Sequence, residues 1–147
     1  MASRRKGRIL AFQALYSWES SRIPPDELML FPWLEAEKRK TLDEGIACFS
    51  RLLIAGTIEN IKAVDGMIKK HLQNWDFSRL SRVDLAILRM SVYTLMYQND
   101  IAPSIVIDEA IGISKEFGSD DSFRFVNGVL DSVRKTLLTP EGLSPDG

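Results

Sequence analysis

Cysteine and histidine are almost absent from this chain, which has one of each, Cys48 and His71. A lone cysteine excludes an internal disulfide, and with a lone histidine it leaves too few ligands for a structural zinc site. That usage fits a reducing cytoplasm. No apolar run is long enough to span a bilayer. The basic start ahead of Ile9-Leu10-Ala11-Phe12 has the outline of a secretion signal, but Gln13, Tyr16 and Trp18-Glu19 interrupt the apolar stretch and no small-x-small cleavage site follows. There is no glycine-rich phosphate loop, no helix-borne pair of metal ligands and no nucleophile spaced to a base, so neither catalysis nor a cofactor is expected. Charge of one sign is not in excess either. With 19 Lys+Arg against 20 Asp+Glu the net charge is −1, and the overall balance marks neither a nucleic-acid binder nor a membrane-surface protein. Against these absences stand 147 residues of 45% hydrophobic content, enough for one compact unit with a real core.

The densest apolar segment, Ser81 to Gln98, contains no Gly or Pro and reads as one central helix over about 81–98. At about 100° per residue, Val83, Ala86, Met90, Tyr93 and Tyr97 gather on one arc and Leu85, Leu88, Val92, Leu95 and Met96 on nearly the opposite one. Two apolar faces need two sets of neighbours. Solvent is expected only along a basic edge, Arg82 and Arg89, and a polar edge, Asp84, Ser91 and Gln98. Ser81 suits an N-cap and Asp84 the third position of a capping box.

Around this axle the periodicity predicts six to seven helices. The first opens at Arg4-Arg5-Lys6-Gly7-Arg8, carries Ile9, Phe12 and Tyr16 at helical spacing with Leu15 beside them, and runs out at Ser20-Ser21. Its cations stand where the helix dipole disfavours them by a few tenths to about 1 kcal/mol each. Either they form a solubilising terminus or they have a use other than folding. Pro24-Pro25-Asp26 starts a short second helix. Lys38-Arg39-Lys40 is either a second nucleic-acid patch or a face solvated and balanced by Glu35, Glu37, Asp43 and Glu44. Thr41 to Glu44 has capping-box spacing for a helix in which Gly56 lets another helix approach, and the apolar stripe on to Leu72 is one long helix or two. His71 is expected as a partly exposed cation at its end, and Trp75 and Phe77 as core plugs rather than ligand stackers. Pro103 suits a first helical position and Gly118 a stop. Asp120 and Asp121 then open a last helix with the stripe Phe123, Val126, Leu130, Val133 and Leu137. Phe125 lies off that stripe beside Arg124, either to stack on a nucleobase or to fill a second buried face. Residues 1–138 are thus read as one helical domain, and 139–147, with almost nothing to bury, as a disordered tail.

Four ordered motifs carry a resemblance. Arg4-Arg5-Lys6-Gly7-Arg8 with Gln13-Ala14-Leu15-Tyr16-Ser17-Trp18, then Arg82-Val83-Asp84-Leu85-Ala86-Ile87-Leu88-Arg89, then Ile107-Asp108-Glu109-Ala110-Ile111 with Phe117-Gly118, and finally Phe125-Val126-Asn127-Gly128-Val129-Leu130-Asp131 resemble the NusB family of bacterial transcription antitermination factors. The resemblance runs from about Arg4 to Leu138, with Pro24 to Lys40 as the part that matches nothing. It implies an all-α fold of two packed helical subdomains and no enzymatic activity. It implies binding to boxA RNA of ribosomal leader transcripts together with the ribosomal protein NusE, within the antitermination complex on RNA polymerase. By the same resemblance Arg4, Arg5, Lys6, Arg8, Tyr16, Asp121, Arg124 and Phe125 would line the RNA side and Asp84 would face NusE. Members occur as monomers or homodimers. A similar helical domain precedes the S-adenosylmethionine-binding domain of some RNA cytosine methyltransferases, an alternative at odds with a chain ending at Gly147. A third reading is a helical adaptor that binds no RNA.

Overall fold

The computed structural model describes residues 4–138, so the expected tail lies outside the described residues. Among the described residues the fold is all-α: α1 (Arg4–Ser21), α2 (Pro25–Leu28), α3 (Ala36–Thr41), α4 (Glu44–Glu59), α5 (Ile61–Lys70), α6 (Arg82–Tyr97), α7 (Pro103–Phe117) and α8 (Ser122–Leu138), with a 3₁₀ turn at Phe77–Arg79. None of these helices is long and apolar enough to cross a membrane. The count exceeds six to seven because α3 has no apolar periodicity to betray it and because the stripe from Ile54 to Leu72 breaks at Asn60, whose Nδ2 donates to Gly56 O at 2.8 Å.

Helix α6 is the axle. Ser81 Oγ accepts from the Asp84 backbone N–H at 3.1 Å, and the helix packs against α1 and α4 on one side, α7 and α8 on the other, with α5 bridging. The two expected apolar faces are both covered: Ala86 and Met90 on one, Leu88 and Val92 on the other, are all buried. Of the basic edge, Arg82 is exposed as expected but Arg89 is not. Arg89 is 3% exposed, because Asp65 of α5 takes a two-pronged grip on its Nε and Nη2, both at 2.9 Å, and Glu19 of α1 accepts from Nη1 at 2.6 Å. Ser91, on the polar edge, is likewise buried.

Helix α1 is rotated from its expected register. Leu10, Ala11, Ala14, Leu15 and Trp18 are buried together with Phe12, while Ile9 is half-buried and Tyr16 is 40% exposed. Alanines contribute little to an apolar stripe, yet their small side chains let α1 lie close against α4 and α6. Asp43, not Thr41, caps α4, accepting from Ile46 N–H at 3.0 Å; the Thr41 hydroxyl donates back to Glu37 O within α3. Gly56 is required by a close approach, since a Cβ there would overlap the ring and hydroxyl of Tyr93 on α6. Between α2 and α3, Phe31 adopts a φ of 54° yet is only 2% exposed. A left-handed residue costs roughly 1–2 kcal/mol, and full burial of a phenyl ring recovers about as much or more.

Candidate nucleic-acid interface

Helix α1 begins with four cations and no acidic residue in its first turn, at the end where the backbone already presents partial positive charge. Their fates differ. Arg8 is buried, its guanidinium carbon 5.3 Å from the centre of the Phe49 ring, and burial lowers its pKa, opposed by Glu109 and reinforced by Arg4 and Arg5. Arg8 is therefore an anchor of α1 on α4. Gly7 assists, because a Cβ there would stand 2.7 Å from Phe49 Cδ2. Arg4 lies over the same ring at 4.6 Å with an exposed side chain. Arg5 reaches the other way, to α7, with Nε 3.1 Å from Glu109 Oε2 and its guanidinium against Gly112, where any Cβ would collide with it. That contact to Glu109 is Coulombic rather than a directed hydrogen bond, as Glu109 Oε2 has no partner in hydrogen-bond geometry. Arg4, Arg5 and Lys6 thus remain at the surface, with one carboxylate drawn against Arg5.

Tyr16 stands apart from these cations. It lines a groove of about 350 Å³ with Phe12, Gln13, Trp33, Val83 and Phe117, in which the Phe12 and Phe117 rings lie 5.2 Å apart and Trp33 Nε1 donates to Gln13 Oε1 at 3.0 Å. Arg82 sits 5.8 Å from the Tyr16 ring. The groove ends at the start of α6, where Asp84 follows Val83. Asp84 is half-buried, and its Oδ1 is shielded from solvent with no hydrogen-bond partner among the described residues. The reciprocal bond of a capping box is therefore not made by that oxygen.

The start of α8 forms a third patch. Asp121, exposed, precedes the helix and its carbonyl accepts from Phe125 N–H at 3.2 Å, while Ser122 Oγ accepts from Ser119 N–H. Gly118 ends α7 in extended backbone, and its lack of a side chain makes room for Ser122. Arg124 is exposed. Phe125 is half-buried, its ring 5.3 Å from that of Trp75 and tilted by 56°. Trp75 is 56% exposed and so is no core plug: the loop before α6 turns it outward over Phe125. Both line a cavity of about 290 Å³ that also meets Arg124, His71 and Ser132. His71 Nδ1 is 2.7 Å from Ser132 Oγ and Nε2 is buried without a partner among the described residues. His71 is half-buried at the C-terminal end of α5, the partly exposed position expected of it, but burial first, then the charge of Lys70, lowers its pKa, which works against the cationic form. Sequence reasoning missed Trp75 and His71 as companions of Phe125, since both lie about 50 residues upstream. The only available signal was an aromatic residue in a polar loop.

The expected site residues accordingly fall into three patches strung along α7. Arg5 meets it at Glu109 and Tyr16 shares a groove with Phe117, about 12 Å further along at 1.5 Å per residue, and α8 begins just beyond. Among the described residues no group of three His, Cys, Asp or Glu side chains gathers to hold a metal ion.

Comparison with known proteins points in one direction. Residues 5–135 match the model of the NusB family. The transcription antitermination protein NusB of Treponema pallidum is 52% identical over 134 residues, covering 90% of this chain and 93% of that one. Among solved structures, T. maritima NusB superposes with a TM-score of 0.80 at 35% identity, covering 91% of this chain and 92% of that one. A chain from the crystal structure of antitermination factors NusB and NusE in complex with dsRNA has a TM-score of 0.80 at 27% identity, covering 90% of this chain and 96% of that one.

Proposed function

The chain belongs to the NusB family, and from that premise we propose that it is a transcription antitermination factor that binds boxA RNA of ribosomal leader transcripts together with the ribosomal protein NusE. The observation that carries this reading is the exposed cationic first turn of α1, where Arg4, Arg5 and Lys6 stand at the positive end of the helix dipole. Such a placement works against folding, and a polyanion reverses its sign by supplying the charge the helix end lacks. The second RNA patch in this proposal is Arg124 with the tilted pair Phe125 and Trp75, where a cation, two π-faces and a small cavity suit an unstacked base and its phosphate. RNA held at both patches runs along α7.

The partner protein is assigned to the groove of Phe12, Tyr16, Val83 and Phe117 and to the adjoining Asp84. An apolar trough with a carboxylate on the residue that follows its Val83 fits a basic ribosomal protein. Tyr16, which the resemblance gives to RNA, belongs in this proposal to the border between the two ligands. The test is a titration with boxA-like RNA at several salt concentrations, with and without NusE. Three to four phosphate contacts predict a log-log salt slope of about −2 to −3, at roughly −0.7 per contact for single strands. Arg4→Gln/Lys6→Gln should flatten it by about 1.4 with thermal stability intact. A slope unchanged in that variant would remove α1 from the interface, and NusE without effect on RNA affinity would remove the groove.

A further inference from the structure

We propose that α3 is a second phosphate-binding face, continuous with the start of α1, and that RNA longer than the boxA segment is gripped there without regard to sequence. This rests on the RNA-binding reading above and extends it to residues outside the motifs that carried the resemblance.

Three observations support it. Lys38, Arg39 and Lys40 occupy a six-residue helix that buries none of its own residues, and all three side chains are exposed with no ion pair among the described residues. Two of the acids that would balance them are engaged elsewhere: Asp43 caps α4 through Ile46 N–H, and Glu44 pairs with Arg51 at 3.3 Å. Finally, the fold brings the first residue of this basic run beside a cation of α1. Lys6 and Lys38 both line one groove of about 310 Å³, together with the apolar side chains of Ile9, Leu10, Leu34 and Leu42. An apolar, low-dielectric lining between two cations strengthens the field a phosphate meets there. The groove offers no aromatic platform and no side-chain amide to read a base edge, and the hydroxyl of Thr41, which also lines it, donates back to Glu37 O, so its ligand class is the phosphodiester backbone. Cations in the last turn of a helix also suit its dipole, but that does not account for their convergence with Lys6.

The experiment compares the full chain with Lys38→Gln/Arg39→Gln/Lys40→Gln and with a charge-matched control on α5 and α8, Lys62→Gln/Lys70→Gln/Lys135→Gln. The probes are a boxA-like RNA of about 12 nucleotides and the same RNA extended by about 10 unstructured nucleotides on each side. For the extended RNA the α3 variant should lose about 2 from the magnitude of the salt slope, at about 0.7 per contact, and bind tenfold to a hundredfold more weakly near 0.1 M salt. For the short RNA and for the control, the change should be under threefold. Because these side chains bury nothing, the melting temperature of the α3 variant should stay within about 2 °C of wild type. An α3 variant with the wild-type slope on extended RNA, or a control that loses as much, overturns the inference and leaves the boxA reading standing. A wild-type protein that binds neither RNA overturns both.

Discussion

Replacing Arg89 by methionine keeps the apolar stem and most of the volume while deleting a guanidinium that holds three helices together. Two terms compete in its favour and against it. At an effective dielectric constant of about 20, each opposite charge 4 Å away contributes roughly 4 kcal/mol of attraction. Burying the cation costs several kcal/mol. Because the two nearly offset, the intact cluster adds little net stability, whereas removing only the arginine strands Asp65, while Glu19 keeps Arg22 Nη2 at 3.0 Å. Loss of one partner from a fully buried pair costs about 3–5 kcal/mol. Here the side chains of Asp65 and Glu19 keep 19% and 25% exposure and recover some water, so about 2–4 kcal/mol is expected. For a chain of this length each kcal/mol shifts the melting temperature by about 3–4 °C. Arg89→Met should therefore melt about 6–16 °C lower, with the urea midpoint reduced by about 1–2 M. Arg89→Lys keeps the charge but not the fork and should fall between. In Arg89→Met/Asp65→Leu the stranded carboxylate is gone and part of the loss should return. A drop of under about 3 °C in the single variant, or a double variant no more stable than the single, would refute this account of the cluster.

Asp121→Asn should change folding stability by less than about 1 kcal/mol, since Asn suits a helix start as well as Asp, yet tighten RNA binding most at low salt, where repulsion of phosphates is least screened; equal or weaker binding would move Asp121 away from the RNA. Asp84→Asn keeps most of the hydrogen-bonding capacity and loses the charge, so it should weaken NusE binding severalfold in a pull-down or titration, and undiminished affinity would leave Asp84 as a structural group only. His71 holds a proton less readily in the folded chain than in the unfolded one. Its contribution is therefore complete above the unfolded pKa, about 6.5, and is lost as pH falls below it. Urea melts at about pH 7.5 and 5.5, on either side of that value, should show a larger fall in wild type than in His71→Gln, and equal falls would contradict a folded state that disfavours the protonated ring.

What could be read in the sequence was what adjacent residues decide. The bounds and cap of α6 follow from Ser81 and an unbroken apolar run, and the turn into α7 from Pro103. What distant residues decide was hidden. Arg89 looks like a solvent edge because its acceptors stand 24 and 70 positions away. Phe125 announced itself by lying off its stripe, but nothing local pairs it with Trp75. The register of α1 was misjudged where Ala11 and Ala14, weak as hydrophobes, bury completely. At Thr41 and Asp43 two cap patterns overlap, and α3 decided between them by using Thr41 for its own last turn. Of the site, the cationic turn was legible as chemistry. The engagement of Arg5 by Glu109 and the burial of Arg8 were not, because both depend on other helices.

The contrast between α6, enclosed by five helices, and α3, which buries none of its own residues, has a consequence for hydrogen exchange. Amides of α6 should exchange only through global opening, while those of 36–41 should exchange through a local fluctuation that leaves the core closed. A segment that opens so cheaply gives up part of its ordering free energy whenever a polyanion settles on it. Slowed exchange confined to 36–41, appearing with long RNA and absent with short, would mark α3 as a helix whose order is set by its ligand.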